Sequence, residues 1–436
     1  MNQHFVFEAK QKNFFFALMA IGVLCLGITF FTDDALHTRF WTNFLHNTVF
    51  FTGIAFIALF FYCANALAYA GWHSVFKRVW EAMFMFLGVG IILMAIIMLG
   101  VWGHFHHLYH WADSAEVAKD EVLRGKSSFL NPIWYTLATL GFGGAWYFFA
   151  NKMRSISLKE DDHGGTDYAF YKQQKYWGAM FLPIAGFTSA AAIWQWVMSI
   201  DAHWYSTMFA WYATSSWFVS MCSLTILLLI YLKSKGYYDG VTKDHFHDLG
   251  KYLFGFSIFW TYLWFSQYML IWYANNGEET IYFKERMGKY SILFYANLVI
   301  NFVAPLLILI RNDNKRKFGV IGFMAGLIFF GHWIDFFQMI KPGALITAKE
   351  HLEKHAAHGT DAAHKAAEHA TAHGGHGVEA VSTFITGFTI PGLLEIGTML
   401  GFLGLFLYLT FNQLTKASLV PKRDPYLAES LHHHVW

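Results

Sequence analysis

The sequence predicts an all-α integral membrane protein of about ten transmembrane helices. Of its 436 residues, 56% are hydrophobic and only 14% are charged, a balance far from that of a soluble domain. Apolar stretches long enough to cross a hydrocarbon core of roughly 30 Å recur along the chain. Each stretch is continuously apolar, whereas a barrel strand facing lipid would alternate apolar and polar residues. Helices are therefore expected rather than strands.

Ten apolar stretches account for the predicted helices, since a spanning helix needs about 20 residues. They cover residues 13–32, 45–70, 79–102, 130–150, 176–200, 208–232, 252–274, 290–310, 318–340 and 388–411. The first stretch lacks the small-residue cleavage site of a signal peptide, so we expect it to be retained. Helices two to five (45–200) and six to nine (208–340) are expected to form two four-helix bundles flanked by the first and tenth helices.

The basic residues predict the orientation of these helices. With both termini in the cytoplasm, the inner segments hold 20 Lys and Arg residues and the outer segments hold 11, as the positive-inside rule requires. Residues 412–436 then form a cytoplasmic tail. The net charge of +2 is not gathered on one face, so a nucleic-acid partner is not expected.

A histidine-rich outer connection at 341–387 separates helices nine and ten. It contains seven histidines, from His351 to His376. Imidazole is a good metal ligand, but the alanine-rich composition and the closing glycines favour a mobile, solvated extension. We therefore predict no metal site in this chain.

Ionisable residues inside the predicted spans are functional candidates, because a charge in hydrocarbon is costly. In the ninth span, His332 lies roughly 21 Å from the inner end, with Asp335 one turn further out. The i to i+3 spacing puts both side chains on one helix face, where the carboxylate can bias the imidazole. Gln338 extends the same face.

Other polar residues fall at a similar outer level. The fifth span ends in Asp201 and His203, and Glu395 lies roughly 10 Å below the outer surface in the tenth span. Amides complete this outer set: Gln195, Gln267 and Asn301. The inner half offers little beyond Glu81. A lone intramembrane His or Asn is often just an interhelical hydrogen bond, so the functional reading depends most on Asp335 and Glu395.

A quinol is a substrate that suits this polar layer. It enters laterally from the bilayer, and its oxidation releases protons that carboxylates and imidazoles can accept. Its head group also needs an aromatic-lined cleft with a few hydrogen-bonding groups. Histidines do not pair at matched mid-membrane depth, which disfavours a haem. Cys25, Cys63 and Cys222 lack a cluster spacing, so we expect no haem and no iron-sulfur cluster in this chain.

Two segments carry a resemblance to a known family. They are WVMSIDAHWYSTMF at 196–209 and GHWIDFFQM at 331–339. With the ten-span layout and the histidine-rich loop, they resemble the polysulfide-reductase membrane subunit (NrfD-like) family over essentially the whole chain. Within that family the chain is similar to the membrane subunits of bacterial alternative complex III, a quinol:cytochrome c oxidoreductase. The SIDAHWYST stretch and the tail favour the ActF type over the ActC type.

The resemblance implies a bacterial inner-membrane complex rather than an independent enzyme. Its partners would be a related NrfD-like membrane subunit, an iron-sulfur protein and multihaem cytochrome c subunits, and its substrate would be a quinone such as menaquinone. We expect Asp335, His332, Asp201 and His203 to accept quinol or its protons, Gln195, Gln267 and Asn301 to bind quinone, and Glu395, Glu81 and Gln338 to form a proton path. Two alternatives stay open: a scaffold that conducts protons while the related subunit binds quinol, and a secondary transporter, which the lack of short interrupted spans disfavours.

Overall fold

The computed structural model describes residues 4–33, 36–163, 168–357 and 389–434. The described residues are dominated by helix and form no β-strand. Eight of their helices are long and apolar enough to cross a membrane. The predicted all-α membrane fold is thereby confirmed, and the chain is a multi-pass membrane protein.

Ten long helical segments occupy the positions of the ten predicted spans. They are α1 (Ala9–Thr32), α2 (Thr38–Leu67), α3 (Ser74–Gly103), α4 (132–163), α5 (Ala169–Ile200), α6 (Met208–Ser234), α7 (Lys243–Ala274), α8 (Ser291–Leu309), α9 (Phe318–Ala357) and α10 (Leu393–Leu414). Segments α4 and α7 are the two that fall short of the apolar criterion. Both are helical, but α4 ends and α7 begins in a charged sequence.

The packing contacts arrange these helices in two rings of four. In the first ring, α2 packs against α3 and α5, and α4 closes the ring by contacting both. In the second ring, α6 packs against α7 and α9, and α8 closes it in the same way. Helix α2 also contacts α6 and α9, so it joins the two rings.

A shared irregularity supports the equivalence of the two rings. The third helix of each ring contains a π-helical turn, at Leu137–Phe142 in α4 and at Val299–Val303 in α8. Such turns are rare and often occur near functional sites. Finding one in the corresponding helix of each ring favours an internal repeat, which the sequence alone only suggested.

Helices α1 and α10 form a separate pair at the edge of the rings. Their backbones approach so closely that a Cβ atom added to Gly22 would lie 2.5 Å from the Cα atom of Gly401. Gly397 and Gly404 line the same face of α10 and also meet α1. Small residues at this spacing allow membrane helices to pack backbone to backbone. The two predicted peripheral helices therefore pack against each other.

Helix α9 is longer than the sequence predicted. Its expected end was 340, but the helix continues through Pro342 to Ala357. Lys341 is fully buried against α2, and this packing extends the helix into what was expected to be a loop. Most of the histidine-rich tract, including His376, lies outside the described residues, so its predicted solvation is left as a prediction.

The C-terminal tail packs across one end of both rings, which is called the inner end because the basic residues predict that it faces the cytoplasm. Asp424 accepts a hydrogen bond from Lys77 at 2.5 Å, and the Ser430 hydroxyl donates to the Trp72 carbonyl at 2.7 Å. Further along, the His433 ring contacts Asp248 of α7 at 2.6 Å. The tail thus links the start of α3 with the start of α7.

Candidate functional site

Asp335 lies at the centre of a polar site buried inside the second ring. Its side chain is fully buried and receives hydrogen bonds from three different helices. The donors are the Tyr212 hydroxyl, the Trp260 Nε1–H at 2.9 Å and the Asn297 amide at 2.8 Å. These three donors are neutral. The carboxylate is therefore solvated by protein dipoles rather than by a hydrogen-bonded cation.

His332 is a neighbour of Asp335, as the i to i+3 spacing predicted. The distance from His332 Nδ1 to Asp335 Oδ2 is 3.9 Å, too long for a hydrogen bond. Nδ1 lies 2.9 Å from the Ser216 hydroxyl instead. Among the described residues, Nε2 has no hydrogen-bond partner. Within the described part of the chain, the imidazole is thus hydrogen-bonded through Nδ1 alone.

The predicted amides divide between the two rings. Asn301 sits in the π turn of α8 and donates to the Asn297 side chain at 2.6 Å, so it supports the Asp335 site indirectly. Gln338 donates to the Leu293 carbonyl at 2.8 Å. Gln195 instead donates to the Phe129 carbonyl and belongs to the first ring. The structure therefore brings Asn301 and Gln338, but not Gln195, to Asp335.

A small cavity adjoins this site. It has a volume of about 20 Å³ and can hold roughly one water molecule. Its lining includes Tyr212, Gln267, Arg286 and Gln338, and the Gln267 amide nitrogen has no hydrogen-bond partner among the described residues. A quinone ring does not fit this cavity, whereas a water molecule that receives or passes a proton does.

Arg286 joins Asp201 to the same cavity. Its Nη2 atom lies 3.0 Å from Asp201 Oδ2, and its Nε–H donates to the Gln338 carbonyl at 3.1 Å. The guanidinium also stacks on Tyr282, 3.3 Å from the ring centroid. Sequence reasoning missed Arg286 because it falls in a segment assigned to an outer connection. Its helix, Gly277–Gly288, folds back against the ring and buries it.

His203 lies outside the buried site, although it is close to Asp201 in sequence. Its exposed ring contacts Asp120 at 2.5 Å. Slight burial raises the pKa of Asp120, but the contact with His203 and hydrogen bonds from backbone N–H groups outweigh this effect and lower it overall. The expected grouping of His203 with Asp335 is therefore not found. His203 instead pairs with Asp120, and this contact stabilises an outer loop.

Glu395 lies in a second outer cluster, between α2, α9 and α10. It accepts two hydrogen bonds from Arg39, at 2.7 and 2.9 Å, and one from the Asn43 amide at 3.1 Å. Lys341 reaches the same asparagine and also donates to Thr42 at 2.9 Å. Glu395 is therefore an ion-paired residue next to a buried lysine. Lys341 was missed because it follows the predicted end of the ninth span.

The inner end is richer in polar contacts than the sequence indicated. Glu81 is fully buried and accepts hydrogen bonds from Arg78 at 2.5 Å and from Ser157 at 2.6 Å. Arg154 donates to the Glu81 carbonyl at 3.0 Å. Nearby, Lys77 contacts Glu160 at 3.2 Å as well as the tail. The expectation of a sparse inner half was wrong, because these partners come from helix ends and tail that were assigned to connections.

The fold and these contacts define a helical membrane protein with buried carboxylates near both ends of its bundles. The described residues contain no group of three or more His, Cys, Asp or Glu side chains arranged to hold a metal ion. Comparison of the chain with family models and with curated proteins finds no match.

Proposed function

We propose that this protein is a proton-transferring membrane subunit of a respiratory quinol:cytochrome c oxidoreductase complex. It would lie in a bacterial inner membrane with both termini in the cytoplasm. The electrons would pass through partners, namely an iron-sulfur protein and multihaem cytochrome c subunits. A related NrfD-like subunit would bind the quinol. The chain would have no activity outside this complex.

The environment of Asp335 is the observation that supports proton transfer most directly. A buried carboxyl with three neutral donors can gain or lose a proton without breaking an ion pair. His332, three residues away, has a ring nitrogen without a hydrogen-bond partner among the described residues. Tyr212, which donates to Asp335, also lines the cavity that can hold a water molecule. Buried ionisable groups of this kind in membrane helices commonly serve as proton relays.

The size of the cavity favours a proton role over direct quinol binding. A ligand pocket for a molecule of quinone size has a volume of roughly 300 Å³ or more, whereas the cavity lined by Tyr212, the hydroxyl donor to Asp335, is about 20 Å³. Aromatic side chains fill the surroundings, with Trp260 packed edge-on against His332 at 5.3 Å between ring centroids. The alternative with the quinol site in the related subunit therefore becomes the preferred one.

Buried hydroxyl groups extend inward from the site along α6. Ser216 contacts His332, and Ser220 and Ser223 follow at one-turn intervals, all fully buried. Further along α6, Thr225 accepts a hydrogen bond from Trp80 at 3.1 Å. Trp80 directly precedes Glu81 in the sequence. The distance along the helix from Ser216 to Thr225 is about 13 Å. The Ser220 hydroxyl donates to the Ser216 backbone carbonyl, so these hydroxyls lie one turn apart and are not bonded to one another. A proton route along them toward the inner network would need water molecules between them.

Replacing Asp335 with Asn tests the proposal. The amide keeps the size of the side chain but cannot carry a proton, so we expect quinol-dependent cytochrome c reduction by the purified complex to fall by roughly 100-fold, the usual range for loss of a proton-transfer group. Assembly, followed by subunit composition after purification, should stay normal. Asp313→Asn is the matched control, because Asp313 is largely exposed.

Three results would contradict the proposal in different ways. Normal turnover and normal proton yield in Asp335→Asn would remove Asp335 from the mechanism and favour a scaffold. Crosslinking of a photoreactive quinone to residues around Asp335 would instead place the quinol site in this chain. Solute uptake by liposomes that contain the chain alone would favour a transporter.

A further inference from the structure

A long groove runs along α7, away from the polar site. Its inner part has a volume of about 470 Å³ and is lined by Trp72, Asp248, Lys251 and neighbouring residues of α7. Its outer part, about 240 Å³, is almost wholly apolar and lies where α2, α5, α6 and α7 meet. Phe256 and Phe259 line both parts. The two cavities therefore adjoin at these two phenylalanines, at the seam between the rings, and together they are called the groove.

The inner end of this groove carries the ion pair of Lys251 and Asp248, and the His433 ring of the tail lies 2.6 Å from the other carboxylate oxygen of Asp248. Lys251 Nζ lies 2.5 Å from Asp248 Oδ1, and the lysine side chain is 50% exposed. Trp72 lies beside them, stacked on Tyr252. Tryptophan and tyrosine are typical of the level of lipid head groups. A cation and an anion together at this level complement a zwitterionic head group better than an anionic one.

The length of the groove matches one leaflet of a bilayer. Asp248 and Phe259 are 11 residues apart on α7, which corresponds to about 16 Å along the helix. Half of a hydrocarbon core of roughly 30 Å is about the same length. An acyl chain whose head group rests at Lys251 would therefore reach the apolar part near Phe259.

Two glycines keep the groove open. Gly255 lines the inner part and Gly186 the outer part. A Cβ atom added at either position would meet no atom within 4 Å. Larger side chains at these positions would thus enter the groove without displacing protein atoms. The space is available to a ligand and can be filled by mutation without disturbing the fold.

We propose that this groove binds one phospholipid of the inner leaflet, with a phosphoethanolamine head group. The phosphate contacts Lys251, the ammonium contacts Asp248, and one acyl chain fills the seam between the two rings. The bound lipid then completes the packing between α2, α5, α6 and α7. This site is independent of the proposed proton transfer.

The test compares Gly255→Leu and Gly186→Leu with the original full-length protein. Each variant fills the groove from a different helix, so one remains informative if the other fails to fold, as judged by thermal unfolding. The proteins are purified in detergent, washed free of loose lipid and titrated with dioleoyl phosphatidylethanolamine, with native mass spectrometry as the readout. Gly27→Leu is the matched control, because a Cβ atom at Gly27 of α1 also meets no atom within 4 Å.

We expect the original protein and the control to hold one phosphatidylethanolamine. Both groove variants should bind it at least about tenfold more weakly, because part of the acyl chain loses its buried contact. Lys251→Gln should weaken the binding of both phosphatidylethanolamine and phosphatidylglycerol, because it removes the cation that contacts the phosphate. Asp248→Asn should reduce the preference for phosphatidylethanolamine over phosphatidylglycerol, because it removes the anion that contacts the ammonium. Equal binding by folded groove variants and control would overturn the proposal, as would extraction of a quinone instead of a phospholipid or a preference for phosphatidylglycerol.

Discussion

Asp335 in the second ring and Glu81 in the first are both fully buried carboxylates, but their surroundings differ. Asp335 is held by a phenol, an indole and an amide. Glu81 is held by the Arg78 guanidinium and lies next to Arg154. A carboxylate paired with a permanent cation must break that pair to be protonated, whereas one held by neutral dipoles does not. The proposed proton transfer therefore depends on Asp335, whereas Glu81 is expected to anchor the start of α3 through its ion pair.

The immediate neighbours of each acid explain this difference. Glu81 lies near the start of α3, next to Arg78 and Arg154, so this carboxylate lies among cations. The donors to Asp335 are aromatic and amide side chains of neighbouring helices. The difference is local rather than a property of one end of the protein, because Glu395 at the other end of the rings is also ion-paired.

The largest expected effect comes from removing Glu81. Glu81→Ala leaves Arg78 buried with one fewer anion, and loss of one partner of a buried ion pair typically costs about 3–5 kcal/mol of stability. Thermal or denaturant unfolding of the purified protein would measure the loss. Glu116→Ala is the control, because its partner Lys119 is 73% exposed and such surface pairs contribute about 0–1 kcal/mol. Similar losses in both variants would argue against an anchoring role for Glu81.

A smaller loss of stability is expected around Asp335. Asn297→Leu removes a donor to Asp335 and an acceptor for Asn301, and leaving buried polar groups unsatisfied costs about 1–3 kcal/mol. Asn151→Leu is the control, since Asn151 is exposed and its amide donates within its own helix. If Asn297→Leu lost as much stability as Glu81→Ala, the neutral surroundings of Asp335 and the ionic surroundings of Glu81 would not differ in their contribution to stability.

The sequence predicted the helices well because each span is a local property of about 20 apolar residues. The shared face of His332 and Asp335 was predictable for the same reason, since it depends on spacing within one helix. Their partners were not, because Tyr212 and Trp260 come from other helices and their register depends on packing. No local pattern relates those residues to Asp335.

The cations that sequence analysis did not identify show a second limit of prediction from sequence. Arg286, Arg39 and Lys341 lie at the borders of the predicted spans, where a basic residue is normally explained as a topology anchor. A charge in a connection becomes part of a buried site only when the connection folds back on the bundle, as Gly277–Gly288 does. Sequence analysis identified Asp201 and Glu395 as candidates but could not show that each is ion-paired.

The smallest expected effect concerns the pair of Asp120 and His203, which is exposed, whereas Asp335 and Glu81 are buried. The pKa of Asp120 is lower in the folded protein than its ordinary value of about 3.9. Its contribution to stability is therefore present above pH 4 or so and is lost as the pH falls through the lower, folded-state pKa. Asp120→Asn should remove that contribution, which is about 0–1 kcal/mol for an exposed pair. Unfolding curves of the original protein and of Asp120→Asn should be compared at neutral pH and at about pH 3. The difference in stability between the two proteins should be larger at neutral pH. An equal difference at both pH values would show that the Asp120 charge adds no stability to the outer loop.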